Sequence, residues 1–149
     1  MTSGSGESWV LPLYVIDTSA WARIGTRASV RQAMDERART GVLALAPPVA
    51  LEVGYSARSA EEWDVVQGAF ADLVVLPISG RTYEIARDLQ RDLWHHGLAR
   101  AVGCTDLLIA AVAVENDAVV VHYDHDYEHI ARVTPGFRQE WIVPAGSVD

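Results

Sequence analysis

Apolar positions along the chain follow two rhythms. Tyr14–Val15–Ile16, Val42 to Ala46, Leu73 to Leu76 and Ala118 to Val121 are short, continuous apolar runs, the signature of strands buried on both faces. Between them apolar residues recur at helical spacing. Val30, Ala33, Met34 and Ala38 do so within Ala28 to Arg39, and Ala86, Leu89 and Leu93 within Gly80 to Trp94. Trp63, Val66 and Phe70 predict a helix over Ala60 to Ala71, and the nearly all-apolar stretch Thr105 to Glu115 predicts another. Punctuation agrees with this division. Gly41 stops one helix, Pro47–Pro48 opens another that carries Glu52, and Pro77 closes a strand. Thr105 is the expected N-cap of its helix, with Asp106 in the first turn. A last short helix is expected from Asp126 and an edge strand within Glu140 to Val143.

Strands of this length alternating with helices predict an α/β fold of three layers, with a short central parallel sheet of four to five strands flanked by helices. Residues 1–149 are expected to form a single domain, with residues 1–10 a flexible N-terminal extension because its first eight residues are mostly small and polar. In open parallel sheets, functional groups gather beyond the carboxyl ends of the strands. Asp17 and Asp124 fall at two such ends.

Composition narrows the classes. No apolar run approaches the roughly 20 residues that span a bilayer, and no basic-then-apolar leader opens the chain, so a cytoplasmic protein without a membrane role is expected. Cys104 is the single cysteine, which excludes an internal disulfide; it is expected to be a small buried residue. All twelve basic residues are arginine, which excludes chemistry that needs a lysine. The net charge of −8 runs against nucleic-acid binding unless the acids gather in one pocket and are offset by bound cations.

Four carboxylates stand out from the solvated majority. Asp17 and Asp124 each follow an apolar strand, Glu52 lies among Val49, Leu51 and Val53, and Asp106 directly precedes Leu107-Leu108-Ile109-Ala110-Ala111. Burying such groups is costly unless a cation pairs with them, and no arginine lies in these segments. Mg²⁺ is the expected partner, with Mn²⁺ a substitute, because both favour oxygen ligands. Such an ion suits phosphodiester hydrolysis by an activated water. Asp17 and Asp106 are the expected primary ligands, completed by Glu52 and Asp124. Thr18, Ser19 and Thr105 are hydroxyls able to orient a carboxylate or water, and Thr18 and Thr105 equally read as helix caps.

Four segments together carry a resemblance: Val15-Ile16-Asp17-Thr18-Ser19-Ala20, Pro47-Pro48-Val49-Ala50-Leu51-Glu52-Val53, Thr105-Asp106-Leu107-Leu108-Ile109-Ala110-Ala111 and His122-Tyr123-Asp124-His125-Asp126-Tyr127. In this order and spacing the chain resembles the PIN-domain toxins of the VapBC toxin–antitoxin systems, from about Leu13 to Val143. The resemblance implies a PIN-like fold and a Mg²⁺-dependent endoribonuclease acting on RNA. It further implies a cognate VapB-like antitoxin, a homodimer and no nucleotide cofactor. The family's four acids fall on Asp17, Glu52, Asp106 and Asp124, with Asp126 able to replace or assist Asp124.

Other residues admit plainer readings. His122, His125 and His129 have spacing that on one helix would suit zinc, but the segment begins on a strand and lacks cysteine. His95 and His96 read as a helix end. The five tryptophans, Trp9, Trp21, Trp63, Trp94 and Trp141, read as core or dimer interface, although stacking on bases is open to them. Arg23, Arg27, Arg31, Arg37 and Arg39 form a basic stretch that is either a solvated helix face or an RNA grip; Arg23, Arg27 and Arg58 are the phosphate-contact candidates. Two alternative functions remain. One is a catalytically inactive binding or scaffold module. The other is a haloacid-dehalogenase-like phosphohydrolase, whose pattern needs an aspartate where Ser19 stands and a lysine that this chain lacks.

Overall fold

A computed structural model describes residues 10–149; the predicted extension lies almost entirely outside the described residues, and Trp9 wholly so. In chain order the elements are β1 (Leu13–Ile16), α1 (Thr18–Ile24), α2 (Ala28–Thr40), β2 (Val42–Leu45), α3 (Pro47–Tyr55), α4 (Ala60–Ala69) and β3 (Val74–Val75). There follow α5 (Gly80–His95), α6 (Cys104–Glu115), β4 (Val119–His122), α7 (Asp126–Val133) and β5 (Arg138–Trp141). The five strands form one sheet in the order β3-β2-β1-β4-β5, every pair parallel.

The strands are apolar throughout because both faces of the sheet are covered. Val15, Ala44 and Val120 face a core built with α3, α5 and α6, while Ile16 and Val121 face α1 and α2 through Ala20, Val30 and Met34. This alternation makes the predicted three layers, and each fully buried valine or isoleucine contributes about 1.5–3 kcal/mol. The α5 stripe is buried as expected at Ala86, Leu89 and Leu93. From β1 the chain winds outward to β2 and β3, then returns to lay β4 on the opposite side of β1. That reversal makes a switch point beyond the carboxyl ends of β1 and β4, the place where open parallel sheets form their crevice.

Several local expectations need correction. The backbone N-cap of α6 is Gly103, not Thr105, so Thr105 lies inside the helix. Cys104, one residue into α6, is exposed rather than buried. Trp63 and Trp94 are also exposed, at 48% and 58%, so neither is core within this chain. The edge strand β5 starts at Arg138, two residues earlier than expected, because its register against β4 places Gln139 beside Val120. The basic stretch is not simply a solvated face: Arg37 packs its guanidinium over Tyr14 and pairs with Glu140.

Candidate metal centre

The crevice gathers carboxylates from segments far apart in sequence. Asp17 ends β1 and caps α1: its Oδ2 accepts from the Ser19 backbone N–H at 3.1 Å and from Ser19 Oγ at 2.6 Å. Ser19 Oγ in turn accepts the Tyr123 backbone N–H at 2.8 Å, and the Asp17 N–H donates to the Val121 carbonyl, also at 2.8 Å. One serine therefore ties the exits of β1 and β4 together. On α3, the Glu52 carboxylate accepts from Thr18 Oγ1 at 2.5 Å. Asp106 occupies the first turn of α6, where the positive end of the helix favours a carboxylate. Asp124 follows β4 and receives the Asp126 N–H at 2.9 Å, a turn that launches α7, whose first residue is Asp126.

Asp106, Asp124 and Asp126 each offer an oxygen within 4.8 Å of the others, an arrangement able to hold a metal ion. Asp124 and Asp126 thus lie together at the same place. The electrostatics are those of an uncompensated anionic site. Burial first, then the charges of Asp17, Asp124, Asp126 and Glu52, push the Asp106 carboxyl from 3.8 up to about 7. Asp126 is also raised, by burial and by Asp124, partly opposed by nearby His129. No ion pair among the described residues reaches any of the five acids. The donor set is all oxygen, which fits a hard divalent cation rather than zinc.

From the sequence, Tyr127 has no role at the site and His122 reads only as a zinc-type candidate. Tyr127 on α7 is fully buried, and its hydroxyl donates to Asp17 Oδ1 at 2.7 Å while lying 3.3 Å from Asp106 Oδ1. Burial and these carboxylates raise its phenol well above the usual tyrosine range, so it stays a donor. His122, the buried last residue of β4, sits beneath the acids. Its Nδ1 accepts the Asp124 N–H at 3.0 Å, which assigns the proton to Nε2, where Gln139 Oε1 accepts at 2.5 Å. Burial lowers its pKa, in keeping with a neutral ring. Both ring nitrogens are thus engaged, and the three histidines form no zinc group: His125 is the exposed N-cap of α7 and pairs with Glu128.

The remaining sequence candidates are divided. Thr18 and Ser19 each hold a carboxylate, whereas no hydrogen bond from the Thr105 hydroxyl is found among the described residues. Arg23 donates to the Ser19 carbonyl and stacks 4.3 Å from the Tyr123 ring. Arg27 pairs with Asp149 and Arg58 with Glu62, so neither guanidinium is committed to the cluster. Next to Glu52 and Thr105 runs an apolar groove of about 470 Å³, also lined by Pro47, Leu51, Tyr55 and Ile78.

Known proteins share this arrangement of segments. The PIN domain family model matches residues 14–133. Ribonuclease VapC51 of Mycobacterium tuberculosis is 39% identical over 136 residues, covering 91% of this chain and 97% of the relative, and Ribonuclease VapC18 of the same organism is 35% identical over 138 residues. Among solved structures, DNA-bound VapBC from Salmonella typhimurium is similar in fold, with a TM-score of 0.72 at 22% identity over 89% of this chain and 99% of that one. With a family model over most of its length and relatives matched nearly end to end, the chain belongs to the PIN-domain family, among the VapC ribonucleases.

Proposed function

We propose that this protein is a Mg²⁺-dependent endoribonuclease, the toxin of a toxin–antitoxin pair, in which Asp17, Glu52, Asp106 and Asp124 are the catalytic acids. The observation that carries the reading is the meeting of Asp106, Asp124 and Asp126 oxygens within 4.8 Å of one another, with Asp17 and Glu52 close enough for their charges to raise Asp106 and no ion pair to any of the five acids among the described residues. Asp17 and Asp106 would be the primary ligands of Mg²⁺ or Mn²⁺, with Asp124, Asp126 and Glu52 completing the set. When bound, the ion supplies the positive charge that activates a water for in-line attack and neutralises charge growing on the phosphate. The chain's own part is to orient its carboxylates. Thr18 fixes Glu52, and Ser19 fixes Asp17. Arg23, on the Ser19 carbonyl, is the phosphate contact best sited for the cluster, with Arg27 and Arg58 as outer contacts. Concentrating acids in one cation-binding crevice also reconciles RNA binding with a net charge of −8.

Purified protein incubated with RNA and Mg²⁺ should cleave it, EDTA should stop cleavage, and Asp17→Asn or Asp106→Asn should lower the rate at least about 100-fold while the fold persists. Equal cleavage by wild type and both variants would overturn the assignment. Restoration by zinc alone would do the same.

Partners belong to the same proposal. Solved neighbours include VapBC complexes from Rickettsia felis and Salmonella typhimurium, described as bound to DNA. A VapB-like antitoxin segment laid in the apolar groove beside Glu52 would reach the acids, which accounts for Leu51 and Tyr55 standing 74% and 93% exposed there. We further propose a homodimer in the cytoplasm; light scattering giving a monomer mass would remove the dimer. No described helix is long and apolar enough to cross a membrane.

A further inference from the structure

Tyr127 approaches the acids from within the core. Its ring is held against Phe137, centroids 6.2 Å apart, and against His122 at 4.9 Å, so the hydroxyl has little freedom to move. That hydroxyl reaches two carboxylates lying 110 and 21 positions away in the chain, Asp17 and Asp106. Two like charges directed at one donor repel each other, and the shared hydroxyl opposes that repulsion by bonding to both.

The acceptor count at Asp17 gives the hydroxyl a definite task. An ionised carboxylate has about four acceptor sites. Ser19 fills two, both on Oδ2, and Tyr127 fills one on Oδ1. A single site is left, on the oxygen that shares its phenol neighbour with Asp106. Resting on the metal-dependent reading above, we infer that Tyr127 is a positioning residue: its hydroxyl fixes Asp17 Oδ1 beside Asp106 Oδ1 and leaves one Oδ1 acceptor site that would be available to a cation. A phenylalanine would keep the ring packing but leave Asp17 Oδ1 without its donor in dry surroundings, so that the carboxylate is held from Oδ2 alone and its spacing to Asp106 is no longer fixed.

Tyr127→Phe tests this through metal binding itself. Mn²⁺ affinity, followed by electron paramagnetic resonance of the free ion, should fall about 10–100-fold, the usual effect of removing a group that orients a ligand. In RNA cleavage the half-saturating Mg²⁺ concentration should rise, with the rate largely recovered at saturating Mg²⁺. Phe137→Leu loosens the packing under the same ring without touching the hydroxyl, so it should lower thermal stability and leave Mn²⁺ affinity near wild type. Unchanged Mn²⁺ affinity in Tyr127→Phe, or an equal loss in Phe137→Leu, would overturn the inference alone. Failure of the wild type to bind Mn²⁺ would overturn the metal reading and the inference with it.

Discussion

At the scale of single residues, the crevice is governed by how each carboxylate is partnered. Asp17 has donors on both oxygens, whereas Asp106 has the phenol contact and four acidic neighbours. That difference has a pH signature. With its carboxyl raised from 3.8 to about 7 in the fold, Asp106 binds more protons folded than unfolded across that window. Metal-free stability should therefore fall as pH rises from about 4 to about 7, and level off above. Solvent screening of this half-buried group limits the loss to about 1–2 kcal/mol, a few degrees of melting temperature. Melts in EDTA at about pH 5 and pH 8 should show the decline, Asp106→Asn should flatten it, and saturating Mg²⁺ should remove it by pairing the acids. A melting temperature that climbs over this range would contradict the account.

The acids were legible in the sequence because carboxylates inside apolar segments are conspicuous, and they remain so once folded. Tyr127 was not legible, since an aromatic followed by Ile130 at helical spacing reads as core, which its ring also is. Nothing in spacing shows that its hydroxyl meets a residue 110 positions away. His122 was misleading for a related reason. Its spacing to His125 and His129 suggests one helical face, but it ends a strand and turns under the site.

At the scale of elements, helices and strands were predicted from periodicity to within a few residues, and the departures arise where tertiary partners decide. Pairing with β4 sets where β5 begins, and the outward turn of the first residues of α6 leaves Cys104 exposed. Trp63 follows the expected spacing with Val66 and Phe70, yet no residue within α4 is fully buried; the helix rests on α3 instead of the sheet. Gly41, between α2 and β2, marks a close approach. A Cβ there would lie 2.5 Å from the Pro12 carbonyl oxygen and 2.6 Å from the Tyr14 ring. Gly41→Ala should cost about 1–3 kcal/mol by forcing β2 from β1, read as a lower urea midpoint. Because this contact sits at the amino ends of the strands, away from the acids, cleavage per folded molecule should stay near wild type. A loss of rate without a loss of stability would break that separation.

At the scale of the whole molecule, the chemistry and the apolar groove lie side by side, joined at Glu52 and Thr105. If the groove seats the antitoxin, Tyr55→Arg should weaken antitoxin binding at least about tenfold, the loss of roughly 1.4 kcal/mol at an interface anchor, while free-enzyme cleavage is unchanged. Calorimetry with the partner and RNA assays without it separate the two effects; loss of cleavage in this variant would place Tyr55 in the substrate path instead.

The return of the chain from β3 to lay β4 against β1 has one more effect. Asp17 directly follows the first strand and Asp126 opens the last helix, so neither half of the polypeptide holds the whole of the proposed acid set. A polypeptide still emerging from the ribosome, or clipped between α5 and α6, would carry some of the carboxylates but never the set. On the proposed reading, cleavage thus arrives only with completion of synthesis and folding, leaving time for a partner to be in place beforehand.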